Sequence, residues 1–209
     1  MTRTVGILIY PDIEVLDFSG PFEVFSTASR VFLREEPEGS APFRIEILAE
    51  ALDPVLARGG LKILPDASMA QTAQLDVLIV PGGGVASELS NPSLLEWLRT
   101  IHAHTEITAS VCTGSFLLAQ AGLLEGLMAT THWEDIQKFA ERYSAVQVVA
   151  DQRWIEQGKV VTSAGISAGI DMSLHLVARL ESAALAERTA RQMDYRWQRD
   201  GPENPYERH

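Results

Sequence analysis

The single cysteine of this 209-residue chain, Cys112, stands in Ile107-Thr108-Ala109-Ser110-Val111-Cys112-Thr113-Gly114, where an apolar run of strand type gives way to a helix opening near Gly114. A thiol at such a turn is placed for nucleophilic chemistry. Ser110 and Gly114 flank it with small residues at two-residue spacing, the steric requirement of a sharp strand-to-helix elbow. The N–H groups of the following helix favour the thiolate, so a lowered pKa is expected. With no second cysteine, neither an intrachain disulfide nor a cysteine-based metal cluster can form. The thiol is then either packing or a reactive group, and the elbow with the Thr113 hydroxyl beside it favours the second.

A nucleophile needs a proton partner. Asp17 lies between Leu16 and Phe18, where burial would raise its pKa and keep enough of it protonated to donate to sulfur or to a reacting atom. The same position suits a cap for a helix starting at Pro21, shared with Ser19, and both roles stand. Glu23, one turn into that helix, is a second acid or simply a helix-dipole residue. In Pro81-Gly82-Gly83-Gly84 the bare backbone of Gly83 and Gly84 could offer N–H groups to a substrate as an oxyanion-type pocket, or form a plain tight turn. The turn lacks the spacing of a dinucleotide fingerprint or a phosphate loop, so no nucleotide cofactor is expected.

Gly165-Ile166-Ser167-Ala168-Gly169 is a formal G-x-S-x-G and the main rival to Cys112. Only His175 and His209 follow Ser167, and the remaining chain is too short for the rest of a serine-hydrolase fold. The glycines therefore read as close strand–helix packing and Ser167 as a helix cap. His132, in Ala129-Thr130-Thr131-His132-Trp133, either approaches Cys112 or packs beside Trp133. His102 and His104, two apart near a helix end, read as surface residues, and no metal site is expected.

These residues need a scaffold, and the hydrophobic pattern supplies one. Strand-length apolar runs recur at Val5–Tyr10, Phe43–Ala49, Leu75–Val80, Ile107–Val111, Val146–Ala150 and Lys159–Thr162. Between them, helical patterns fit Pro21–Glu35, Pro92–His102, Gly114–Ala121, Trp133–Tyr143 and Ala168–Arg196. Such alternation predicts a doubly wound α/β domain, a mostly parallel sheet with helices on both faces. Shorter pieces at Leu61–Leu64 and Trp154–Ile155 read as hairpin or edge strands, with a turn at Gly59-Gly60. Residues 1–199 form one domain, and 200–209 read as a tail on the surface or against a partner subunit.

Composition narrows the function classes. At 46% hydrophobic residues the chain can bury one sizeable core. A net charge of −11 and the absence of any Lys/Arg-rich run argue against nucleic acid or an anionic membrane as partner. Met1-Thr2-Arg3-Thr4 passes directly into a strand pattern without the features of a signal peptide, and a cytoplasmic location is expected.

Taken together, five segments resemble the ThiJ/PfpI superfamily, whose fold is the flavodoxin-like one of class I glutamine amidotransferase-like domains. They are Leu16–Val24, Pro81–Gly84, Ser110–Gly114, Ala129–Trp133 and Ser163–Asp171, in family order over nearly the whole chain. Within the superfamily the set is closest to the isonitrile hydratases and to the amidotransferase-like sensor domain of certain AraC-type regulators. The first resemblance implies hydration of an isonitrile to an N-substituted formamide. Cys112 would attack the terminal carbon, Asp17 would move protons, and Thr113 would tune the thiolate. Gly83 would contribute a backbone donor, and Ile166 would border the pocket. His132 matches a histidine of other branches and stays secondary. The resemblance also implies a homodimer acting on a small molecule without cofactor. The regulator branch implies a ligand- or redox-sensing domain, but the chain ends after the Ala168–Arg196 pattern with no helix-turn-helix module, which favours an enzyme. The resemblance also offers glyoxalase, deglycase or amidase chemistry, but it implies for those branches a glutamate near the cysteine rather than Asp17.

Overall fold

A computed structural model describes residues 1–72 and 74–199. Seven strands form one sheet in the order β10-β11-β7-β6-β1-β2-β5. Its centre is β1 (Arg3–Leu8), β6 (Val77–Val80) and β7 (Ile107–Val111), flanked on one side by β2 (Phe43–Ala49) and β5 (Ala67–Ser68), on the other by β11 (Val160–Ser163) and β10 (Trp154–Gln157). All pairings are parallel except β10 with β11. Every residue of β6 and β7 is buried, as expected for strands covered on both faces.

Helix α1 (Val15–Glu35) follows β1 and leads to β2, whereas α2 (Pro92–His104) carries the chain from β6 to β7 in the opposite direction across the sheet. Right-handed crossovers running in opposite directions place their helices on opposite faces. On the α1 face lie α5 (Ala168–Leu180) and α6 (Ala183–Gln192), packed on α1 and on each other, while α3 (Gly114–Gln120) packs against α2. The sheet order reverses between β1 and β6, so the crevice beyond their C-terminal ends is the switch point where ligands bind in such folds. Among the described residues no helix is long and apolar enough to cross a membrane.

Four elements depart from the sequence expectation. The first helix starts at Val15, not Pro21, so Asp17 lies in its first turn and Pro21 inside it. Pro21 has no N–H to offer the Asp17 carbonyl, a loss the helix tolerates because Phe18, Val24, Phe25 and Ala28 are driven into the core. The long pattern Ala168–Arg196 is two helices. The break falls at Glu181-Ser182, where the Ser182 Oγ accepts from the Leu185 N–H at 3.2 Å. Val146–Ala150 supplies only β9 (Gln147–Val148), which pairs with β8 (Met128–Ala129) outside the main sheet. Trp133–Asp135 is a 3₁₀ turn before α4 (Ile136–Arg142).

Other expectations agree with the structure. β10 is an antiparallel edge strand. The Leu61–Leu64 segment contributes β4 (Lys62–Ile63), in a hairpin with β3 (Val55–Leu56). Their turn needs its glycines, because Gly59 and Gly60 have φ of 75° and 88°. The tail 200–209 lies outside the described residues.

Candidate active site

Cys112 follows β7 in a left-handed conformation, φ 55°, and is 7% exposed. A non-glycine residue held there costs about 1–3 kcal/mol and persists only when its surroundings fix it. They do so through the backbone. The Cys112 N–H donates to the carbonyls of Ser163 and Ala164 at 3.1 and 3.3 Å, and its own carbonyl accepts from the Ser115 and Thr131 hydroxyls at 3.1 and 3.0 Å. Gly114 permits the bend, since a Cβ there would stand 2.0 Å from the Val80 carbonyl oxygen.

Asp17 is fully buried. Its Oδ2 accepts from the Gly82 N–H at 3.0 Å, while Oδ1 has no hydrogen-bond partner among the described residues. Burial pushes this carboxyl up from 3.8 to about 7, opposed by the Gly82 bond and by the Cys112 thiol. Burial, and then the Asp17 charge, push the thiol well above its ordinary range, against the N–H and hydroxyl of Thr113. The expected resting thiolate is thus overturned, because desolvation and a buried acid outweigh what the short helix α3 offers. The two groups form a pair in which the acid is poised near neutrality and the thiol holds its proton.

The glycine turn after β6 belongs to this pair, but its N–H groups are already taken. Gly82 serves Asp17. Gly83, at φ 133°, donates to Thr113 Oγ1 at 2.9 Å, and Gly84 donates to the Asp12 carbonyl at 2.9 Å. The oxyanion role expected of Gly83 and Gly84 therefore has no free donor in this conformation. Thr113 Oγ1 also lies 3.2 Å from the Gly83 carbonyl, so its one proton serves either that oxygen or the sulfur.

His132 faces the same centre. A Cβ on Gly165 would meet its Cδ2 at 2.2 Å and the Cys112 Sγ at 3.0 Å, so ring and sulfur converge over the bare backbone of Gly165. The His132 Nδ1 accepts from the Glu134 N–H at 3.4 Å, which leaves the proton of a neutral ring on Nε2. Ile166 is half-buried in the adjoining turn.

Glu23 does not share this environment. It is exposed on α1 and held by Thr27 and Arg30 at 2.8 and 2.7 Å. Ser167 stands at the N-cap position of α5 without making a side-chain cap bond. Its Oγ lies 3.4 Å from Arg153 Nη2. His175 is bound to Glu156 at 2.5 Å and stacks on Trp154, so it is no partner for Ser167. His102 is half-buried rather than superficial, with Nδ1 2.9 Å from Thr108 Oγ1 and its pKa lowered by burial and by Lys159. Among the described residues no group of three or more His, Cys, Asp or Glu could hold a metal ion.

Two supports were missed in the sequence. Tyr10 donates its buried hydroxyl to the Pro81 carbonyl at 2.7 Å, bracing the glycine turn. Arg153 binds the fully buried Asp171 at 2.7 Å through Nε, and its carbonyl accepts from the Ala164 N–H at 2.9 Å, so it fixes the turn on which Cys112 rests. The available signal was Asp171 itself, an acid in the apolar first turn of a helix.

The fold and site define a class of α/β proteins with a mostly parallel sheet, a cysteine elbow at the switch point and a buried acid from the first helix beside it. The DJ-1/PfpI family pattern matches residues 3–179, and the chain belongs to that family. It is 32% identical to an isonitrile hydratase of Pseudomonas putida over 93% of this chain and 79% of the relative. It is also 31% identical to the HTH-type transcriptional regulator CdhR of Pseudomonas aeruginosa, over 92% of this chain but only 55% of that protein. Among solved structures, a ThiJ/PfpI family protein from Pseudomonas syringae superposes with a TM-score of 0.82 at 30% identity, covering 99% of this chain and 78% of the other.

Proposed function

We propose that this chain is a cysteine-dependent isonitrile hydratase, adding water to an isonitrile to give an N-substituted formamide. The observation that carries the reading is the Asp17–Cys112 pair, with an acid at about 7 beside a thiol that holds its proton. An isonitrile carbon must accept both a nucleophile and a proton. Asp17 takes the thiol proton as sulfur bonds to the terminal carbon, then returns it to that carbon, giving a thioformimidate. Water adds to this carbon, Asp17 removes one of its protons, and the nitrogen gains one. The C–S bond then breaks, the formamide leaves, and Cys112 recovers its proton. Thr113 stabilises charge on sulfur, while Ile166 and His132 border the substrate. The likeness to the Pseudomonas putida hydratase over most of both chains supports this assignment.

The functional unit is taken to be a homodimer in the cytoplasm. Leu16 and Phe22, 39% and 38% exposed on α1, supply apolar surface suited to a second copy. A second reading, a ligand- or redox-sensing domain, draws on the likeness to the regulator CdhR. A panel of alkyl and aryl isonitriles, methylglyoxal and simple amides, assayed with wild type and Cys112→Ala, separates the readings. Formamide production lost in the variant supports the hydratase. Saturable binding without turnover supports the sensor, and turnover of the other substrates alone moves the chain to another branch.

A further inference from the structure

A cavity of about 330 Å³ opens beyond the C-terminal ends of β1 and β2, and none of Cys112, Asp17, Thr113 or His132 lines it. Its volume falls in the range of small-molecule sites. Val55, Met69 and Leu94 give it apolar walls, and among the described residues the charged members of its lining are Glu50, Asp53 and Glu88. Glu50 and Asp53 are exposed, and Glu50 accepts from Asn91 Nδ2 at 3.2 Å. Glu88 is different. It is only 9% exposed, its Oε1 accepts from the Ser87 hydroxyl at 3.1 Å, and among the described residues it has no cationic partner. Arg58, in the turn after β3, is already engaged by Asp12 and Glu14 at 3.6 and 3.1 Å.

A carboxyl group in the wall of a cavity, with no cation against it, is an acceptor that a cationic head can meet with a charge-assisted hydrogen bond, and the cavity gives room for one. An anion would add a further negative charge where the dielectric is low. A neutral ligand would cover the walls and leave Glu88 unbalanced. We propose that this cavity binds a small alkylammonium ion, its cationic head on Glu88 with Asp53 and Glu50 at the mouth, its alkyl body against Val55, Met69 and Leu94. Tyr10 also lines the cavity while holding Pro81, so the site adjoins the reactive centre without being part of it.

Isothermal titration of the full chain with n-butylammonium, n-butanol and n-butyrate tests this. Butylammonium is expected to bind saturably, about tenfold or more tighter than butanol, a difference one charge-assisted contact supplies. Butyrate is expected not to bind. Glu88→Gln should weaken butylammonium about tenfold, and Cys112→Ser should leave it unchanged, locating it away from the thiol. The exposed double substitution Glu50→Gln with Asp53→Asn, which leaves the core untouched, should weaken it several-fold and decides the matter if Glu88→Gln fails to fold. Equal affinity for butanol, no saturable binding at millimolar concentration, loss of binding in Cys112→Ser, or indifference to the carboxylate substitutions would overturn the proposal.

Discussion

Gly82 donates its N–H to Asp17 Oδ2 over 3.0 Å, and only a residue without a side chain can do so, because a Cβ there would stand 2.9 Å from the same oxygen. The glycine turn after β6 is therefore built around the acid of α1. Thr113 completes the closure by accepting from Gly83. One turn thus ties the acid to the residue that follows Cys112, across the point where the sheet order reverses.

Removing the Asp17 charge should make the thiol easier to ionise. That charge is the largest influence after burial holding the Cys112 thiol up. Asp17→Asn is expected to accelerate alkylation of Cys112 by iodoacetamide several-fold at pH 8 while abolishing turnover, since the proton carrier is gone. Alkylation followed by mass spectrometry from pH 6 to about pH 9, through the range where thiols ionise, checks this. A slower variant would mean that Asp17 promotes the thiolate.

The same carboxyl makes stability depend on pH with a definite sign. Its folded pKa of about 7 lies above the ordinary 3.8, so the folded state binds the proton more tightly than the unfolded one. The cost of keeping an ionised Asp17 buried is absent below the unfolded value, grows as pH rises between the two, and is constant above the folded value. Asp17→Asn should therefore be more stable than wild type at pH 8 and closer to it at pH 4. Urea unfolding at the two pH values reads the difference directly.

Thr113→Val and Ser167→Ala should part company. Valine keeps the shape but removes the acceptor of the Gly83 N–H and the hydroxyl that lowers the thiol, so stability should fall by about 1–3 kcal/mol and turnover by at least tenfold. Ser167 is exposed, and its weak contact with Arg153 leaves both quantities within about 0.5 kcal/mol of wild type. Loss of turnover in Ser167→Ala with activity kept in Cys112→Ala would return the chemistry to the serine.

The legible parts of the fold were those governed by local pattern. The fully buried runs of β6 and β7, the opening of α2 at Pro92, and the small residues around Cys112 all follow from sequence alone. What sequence could not supply came from long-range contact. Pro21 is a natural first residue of a helix, yet core burial extends α1 back to Val15 and puts Asp17 on the helix rather than before it. Likewise, the sequence names Asp17 as a proton partner for Cys112, but not the burial and the carboxylate charge that together outweigh what a helix N-terminus offers the thiolate. Of the Arg153–Asp171 pair only the acid left a sequence signal, because its partner lies 18 positions away, outside α5, and is brought to it by packing.

That pair gives the last prediction. Asp171 is fully buried, and besides Arg153 it accepts from the Tyr195 hydroxyl at 3.0 Å and the Gln198 N–H at 2.9 Å. Arg153→Met keeps much of the side-chain volume but leaves the carboxylate without its cation, a change expected to cost about 3–5 kcal/mol. Asp171→Asn with Arg153→Met removes both charges and should recover part of that loss, because the uncompensated charge is then gone. Thermal unfolding of the two single variants and the double variant forms the cycle that checks it. Since the main chain of Arg153 also holds Ala164, whose carbonyl supports the Cys112 N–H, freeing residue 153 from Asp171 should loosen that turn, and the single variant should lose turnover at temperatures where it is still folded. Full activity in folded Arg153→Met would confine the pair to stability.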